Sequence, residues 1–546
     1  MRKPKVVIAV SLFALFLLAY GHTSSLSVSW KNFSEDSGDF LAAAYTLGIP
    51  HPTGYPLYVL LGRIFSLIMP GSIAFRITLL SLLCASFAPV FLFLTLARLL
   101  PRSAGLMGAA VASLSLGFSL YFWSQAVVAE VYTFHVLFLS MLVYLAVRWM
   151  HPEEATLDSN GVLAAVAKSA TPANGSVADK RSDAYFLLSA YVLGLSFTNH
   201  MLSTVSLVFA AVLVLSGPGR KRIHPSLLIP ALLCFLIPLT LYAYLPIRSM
   251  RNPELDWGNP ETWRQFKWVV TGEQYRFRLL ALPMTQALAK LWPGPFLASG
   301  WPAVVLSAIG LFSRKIGGAI RAALVAVIAA DLLIVVLYDI PDFPPYFLPA
   351  SFGLCFLAGA GFERLLSGSA AILSKIWKAA VARLATAFLA AALIVAVLLP
   401  AATHNRKETD ASTDLYAYVF GRATFRIVEP NALVISEYDG RTFALWFFRQ
   451  TEFKESHPDC IVILKYLLVW PWYVDNLKKL HPDLSMQQAG PMDAVMLSLV
   501  ASNVEKRPIY TVRDDPALRP FYCLRPIFGG EIELFRVEKM KSSEKP

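Results

Sequence analysis

Eleven apolar runs, most of them long enough to cross a bilayer as a helix, constrain this chain more than any other feature. They fall at 6–20, 72–99, 104–122, 127–149, 184–199, 201–216, 226–246, 294–313, 321–338, 346–366 and 379–400. A helix needs about 20 predominantly apolar residues to span the hydrocarbon core. With 56% hydrophobic and only 15% charged residues in 546, the chain is too apolar for a water-soluble globule. The expected fold is a polytopic α-helical membrane protein of about eleven transmembrane helices over 1–400, followed by a soluble extracytoplasmic α/β domain over 401–546.

The charge pattern gives this arrangement a direction. A net charge of +12 could suggest nucleic acid, but the basic residues lie in short clusters between the apolar runs, which is the signature of cytoplasmic loops. Met1-Arg-Lys-Pro-Lys5 precedes the first run, and no small-x-small cleavage site follows it, which favours a cytoplasmic N-terminus and a retained anchor over a signal peptide. Every second loop then carries cations: Arg98 and Arg102, Lys180 and Arg181, Arg220-Lys221-Arg222, Arg314 and Lys315, then Lys375, Lys378 and Arg383. In a bacterium this places the protein in the inner membrane.

Residues 150–183, rich in Ala, Ser, Asn and Asp, are expected to form a cytoplasmic linker, and 21–71 the first outer loop. The outer loop 247–293 breaks the rule with Arg248, Arg251, Arg264, Lys267, Arg276, Arg278 and Lys290. Either it holds an anionic ligand or it is drawn to anionic headgroups. In 401–546, strand-like runs at 432–436, 460–464 and 531–537 alternate with helix-like segments. Cys84, Cys234 and Cys355 sit in apolar runs as packing residues. Cys460 and Cys523 share the outer domain, where an oxidising compartment would allow a disulfide.

Nearly all residues capable of chemistry gather on the outer side. Asp36-Ser-Gly-Asp39 and His51-Pro-Thr-Gly-Tyr-Pro56 lie in the first outer loop. If Asp36 and Asp39 share a helical turn, the pair can divide into a general base and an orienting or metal-binding partner, which leaves a divalent ion open. The plainer alternative is one capping and one solvated aspartate. Glu130-Val-Tyr132 opens the fourth run, Asn199-His200 forms a hairpin, Arg248 leads into the basic loop, and Asp342 lies in Tyr338-Asp-Ile-Pro-Asp-Phe-Pro-Pro-Tyr346. Acidic residues beside a basic, aromatic loop at one membrane face suit an enzyme with a lipid-linked phosphate donor: cations would hold the phosphate and a carboxylate would deprotonate an acceptor hydroxyl. Asp331, midway along its run, is the argument for the competing class, a transporter or flippase of lipid-linked sugars.

Asp-Ser-Gly-Asp, His-Pro-x-Gly-Tyr-Pro-Leu-Tyr, Ala-Glu-Val-Tyr-Thr, Thr-Asn-His and Leu-Pro-Ile-Arg-Ser occur here in order. With them the chain resembles the bacterial membrane family related to the eukaryotic transmembrane protein O-mannosyltransferases, strongly over 30–350 and more faintly in Asp439-Gly-Arg-Thr-Phe443 and Pro471-Trp-Tyr473. The resemblance implies a GT-C glycosyltransferase fold, a polyprenyl-phosphate sugar donor with mannose as the sugar, and a protein or surface-glycan acceptor at the bilayer. It also implies an acidic catalytic base in the first outer loop, Asp36 ahead of Asp39, because the second position often reads Glu in this family and the shorter Asp reaches less far. His51, Tyr55, Glu130, Tyr132, Asn199, His200, Arg248 and Asp342 are the expected substrate-binding residues. No nucleic acid partner is expected.

Overall fold

A computed structural model describes residues 2–151, 177–530 and 532–540; most of the expected linker at 150–183 lies outside them. All eleven apolar runs are helical, but they are not equal spans. Among the described residues seven helices are long and apolar enough to cross a membrane, and Ser103–Gly117 with Leu120–Ala126 adds an eighth as a pair bent by 64°. The other runs form the shorter apolar helices Ser182–Phe197, Ser203–Leu215 and Trp301–Gly310. Sequence periodicity does not reveal such breaks, because a broken span keeps its apolar composition.

The first part of the chain runs α1 (Arg2–Thr23), α2 (Ser37–Thr46), α3 (Pro56–Ile68), α4 (Ile73–Leu99), α5 (Ser103–Gly117), α6 (Leu120–Ala126) and α7 (Tyr132–Met150). α1 is built into the bundle: Phe16 and Tyr20 are fully buried, and the Tyr20 hydroxyl donates to the Gly117 carbonyl at 2.7 Å. Pro344–Ile376 forms the centre, 89% buried over its apolar window, whereas Pro225–Ser249 and Ala379–Thr409 are 11% buried and form the periphery. In lipid an apolar exposed face is satisfied by acyl chains, so exposure here follows position in the bundle. α2 and α3 are too short to have registered as spans; they fold the first outer loop down onto the membrane helices.

The last span runs through a π-turn to Thr409, past the boundary expected at 400. Beyond it stands a five-stranded sheet in the order β2-β1-β3-β5-β4, with β1 Leu433–Ser436, β2 Ile461–Leu464, β3 Ile509–Thr511, β4 Tyr522–Gly529 and β5 Ile532–Lys539. β1 pairs in parallel with β2 and β3, while β5 runs antiparallel to β3 and β4. Leu433-Val-Ile-Ser436 and Ile461-Val-Ile-Leu464 are buried throughout, as parallel strands covered on both faces must be. Cys460 and Cys523 lie at opposite edges of this sheet. Four strand spacings, roughly 19 Å, separate them, too far for a disulfide, and both are free thiols. No bridge joins them.

The soluble domain is joined to the membrane part through α2. The helix Asp439–Gln450 lies against α2, and Trp30 donates its indole N–H to the Gly440 carbonyl at 2.8 Å. At Gly38 the two backbones nearly touch, since a Cβ there would stand 2.5 Å from the Phe443 carbonyl carbon. Glycine is the residue that allows this approach. Gly38→Val should therefore push the soluble domain off the first outer loop, lowering stability by about 1–3 kcal/mol and costing turnover. Thermal unfolding in detergent reads the first effect, and an unchanged melting temperature would show that the contact is not needed.

Candidate active site

The two carboxylates of Asp-Ser-Gly-Asp do share a turn, at the N-terminus of α2, but neither behaves as a plain cap or a solvated charge. Asp36 stands at the N-cap position without a side-chain capping bond. Its side chain keeps 34% of its surface open to solvent. Asp39 is fully buried. Its Oδ2 accepts the backbone N–H of His51 at 2.9 Å and lies 2.8 Å from His51 Nδ1. On the other side of the imidazole, Nε2 lies 3.6 Å from Asp36 Oδ2 and 3.0 Å from the Tyr55 hydroxyl.

The His-Pro-x-Gly-Tyr turn makes this possible. Gly54, at φ +81°, adopts a conformation L-residues avoid, and its N–H closes onto the His51 carbonyl at 2.9 Å. The turn folds Tyr55 back over the His51 ring, and Phe40 and Phe443 wall the imidazole.

Electrostatics separates the roles. Removal of water pushes Asp36 up to about 7; His51 pulls it down, while Asp342, Asp439 and Asp39 push it up. For His51 burial disfavours the cation, but Asp36 and Asp39 outweigh it and raise the imidazole to about 9. Near neutral pH the arrangement is an imidazolium between two carboxylates, the open one poised to exchange a proton. A general base works best with its pKa close to the working pH.

The expected residues divide into groups. Tyr55, Tyr132 and His200 come together with Tyr346 in a chain of aromatic contacts with ring centroids 5.2–5.9 Å apart. Asn199 donates to the Val131 carbonyl at 3.1 Å, fixing the start of α7. Glu130 is buried, and its main chain exchanges hydrogen bonds with the Ser81 hydroxyl. Asp342 joins the site, raised by burial and lowered by His51 and Arg278.

Arg248 does not join. Its guanidinium donates to the Leu47 and Thr46 carbonyls, so it caps the C-terminus of α2, a ten-residue helix whose other end carries the carboxylates. At 1.5 Å per residue that is roughly 15 Å away. The role of phosphate holder expected for Arg248 gives way to a structural one.

Two other cations of the basic loop do reach the site's rim. Arg278 donates to the Asp339 carbonyl at 3.1 Å, and the Lys290 ammonium donates to the Tyr338 carbonyl at 2.9 Å. Sequence reasoning also passed over Asp439, although its Asp-Gly-Arg-Thr-Phe motif was visible. Asp439 accepts a hydrogen bond from the Tyr466 hydroxyl; burial raises it to about 6, with the Tyr466 bond and His51 lowering it and Asp39 and Glu35 raising it.

Asp331, the intramembrane carboxylate, has a structural occupation. Its Oδ2 accepts the Ala350 N–H at 2.9 Å, one of the donors left free in the first turn of Leu348–Ile376. Among the described residues no group of three or more His, Cys, Asp and Glu side chains is placed to hold a metal ion, and Asp39 Oδ2 is spent on His51.

Known proteins resemble this chain in sequence over part of its length and in fold over all of it. Residues 36–222 match the family model described as the N-terminal domain of protein O-mannosyl-transferase TMEM260. The mouse protein O-mannosyl-transferase TMEM260 is 33% identical over 244 residues, 44% of this chain and 31% of its own length. The Dictyostelium discoideum tmem260 protein is 26% identical over 334 residues, 59% of this chain and 38% of its own. The chain thus spans about a third of the length of the curated relatives it matches. The crystal structure of ArnT from Cupriavidus metallidurans bound to undecaprenyl phosphate superposes with a TM-score of 0.59 at 12% identity, covering 99% of both chains. Over 36–222 the sequence is similar to the TMEM260-type protein O-mannosyl-transferases, and over its whole length the chain shares the fold of ArnT.

Proposed function

We propose that the protein is a membrane glycosyltransferase that moves a sugar, mannose by its relatives, from a polyprenyl-phosphate donor to a hydroxyl on a protein or surface glycan at the outer face. The observation that carries this reading is the open Asp36 carboxylate held beside the buried Asp39–His51 pair. The acceptor hydroxyl gives its proton to Asp36 as its oxygen bonds to the sugar's anomeric carbon. The bond from that carbon to the phosphate oxygen breaks, and polyprenyl phosphate leaves with the electron pair. We assign to Arg278 and Lys290, which bond the carbonyls of Asp339 and Tyr338 at the rim, the offsetting of the phosphate charge. The N-terminus is cytoplasmic in this scheme, and the soluble domain covers the site from outside.

The test is an assay of the purified protein against a panel of polyprenyl-phosphate sugars, followed by the pH profile of kcat/KM. Asp36 must be deprotonated to accept a proton, so the rate should rise as pH passes about 7. His51 must be cationic to pair with both carboxylates, so the rate should fall beyond about 9. A profile flat across both values, or no donor turned over, would end the proposal.

A further inference from the structure

The soluble domain contains a second cleft that the transfer step leaves unused. The parallel strands β2, β1 and β3 end side by side, and the chain leaving each one contributes to the same space: Lys465 after β2, Glu437 after β1, Arg513 and Asp515 after β3. Ligands of α/β sheets bind outside the carboxyl ends of their parallel strands. The space measures about 460 Å³, within the range of ligand sites. At the same edge Ser436 Oγ and Thr511 Oγ1, on the last residues of β1 and β3, are buried without a hydrogen-bond partner, so hydrogen-bonding capacity remains there.

The charge in this cleft is ordered. Lys465, whose side chain is 5% exposed, is held by Asp515 at 2.7 Å and by Glu437 and Asp493 at 3.0 Å, and Arg513 pairs with Glu437. Three carboxylates face two cations, and Asp493, the most open carboxylate with 55% of its side chain exposed, carries the surplus toward the mouth. Such a lining excludes a lipid tail. Tyr466 lines the same cleft and donates to Asp439, whose charge acts on Asp36 and His51. The cleft therefore adjoins the reactive carboxylates through Tyr466 and Asp439.

We infer that this cleft is the seat of a polypeptide acceptor, in which a Lys or Arg side chain flanking the reacting hydroxyl residue lies against Asp493 while the hydroxyl reaches past Tyr466 to Asp36. The inference rests on the transferase reading. It adds a preference that the reactive centre alone does not supply, for hydroxyl residues in a basic sequence context.

Full-length protein in lipid nanodiscs, a polyprenyl-phosphate mannose donor and matched Thr-containing peptides differing only in an Arg or Glu beside the Thr make the test. Donor hydrolysis without peptide is measured in parallel. The Arg peptide should show a KM about tenfold below that of the Glu peptide. Asp493→Asn should narrow that gap, and Ala517→Trp, which fills the cleft, should raise both KM values; neither should change donor hydrolysis. Equal KM values for the two peptides, a gap indifferent to Asp493→Asn, or transfer to a soluble oligosaccharide alone would overturn the inference while intact donor hydrolysis keeps the transferase reading. Absence of donor hydrolysis and transfer in the unaltered protein would remove the transferase reading and this inference with it.

Discussion

Asp36→Asn should cut turnover by about 10²–10⁴-fold, the usual contribution of a positioned general base, while leaving the protein folded and the donor bound. Asparagine keeps the shape of the side chain but cannot accept the acceptor's proton. Asp36 makes no capping bond at α2, so the helix loses no hydrogen bond by the exchange. The partner effect points the same way: with the Asp36 charge gone, His51 loses its largest electrostatic support, and any residual activity should fall off at a lower alkaline pH. The companion is Asp331→Asn, which retains an oxygen to accept the Ala350 N–H and should keep near-normal turnover. Turnover, donor binding and thermal unfolding measured together separate the cases. Near-normal turnover in Asp36→Asn combined with its loss in Asp331→Asn would move the function from the outer face to the middle of the membrane.

Much of this site was legible before any coordinates, for a physical reason. A membrane sorts charged residues by side, so the pattern of basic loops predicts that Asp36, His51, Glu130, His200 and Asp342 share a face. The apolar runs likewise gave the helices, though not where a span breaks at Phe118 or where α2 and α3 fold into the outer loop. What stayed hidden depends on three-dimensional closure. The imidazole between Asp36 and Asp39 exists because one turn at Gly54 reverses the chain. Asp439 reaches the site from a helix some four hundred residues downstream, admitted by a glycine on each side of the contact. Arg248 looked like a phosphate ligand because positive charge on the outer side is unusual, yet the carbonyls at the end of α2 claim it. In the soluble domain β1, β2 and β5 read as strands from their apolar runs. β3 is three residues long, and β4 contains Pro526 and exposed side chains, as an edge strand tolerates.

Asp39→Asn should lower turnover by roughly 10–100-fold, the range seen when a group that orients a functional side chain is altered, and it should do so by a different route from Asp36. Asp39 is buried beneath the imidazole and cannot meet a water-borne hydroxyl. Its work is to accept both the backbone N–H and the Nδ1 proton of His51, which fixes the ring and holds its other nitrogen toward Asp36 and Tyr55. Its negative charge also favours the imidazolium. Asparagine can still accept a hydrogen bond but brings no charge, so the imidazolium loses part of its support and the His51 pKa must fall. The alkaline limb of the kcat/KM profile, expected at about 9 in the unaltered protein, should then move toward neutral pH. The acidic limb does not follow it: His51 is still cationic at that pH, and losing the Asp39 charge, which raises Asp36, lets Asp36 ionise slightly lower. The active window therefore narrows from the alkaline side. A structural role for Asp39 would reduce activity at every pH by the same factor without shifting either limb, and that outcome would remove Asp39 and His51 from the proton chemistry.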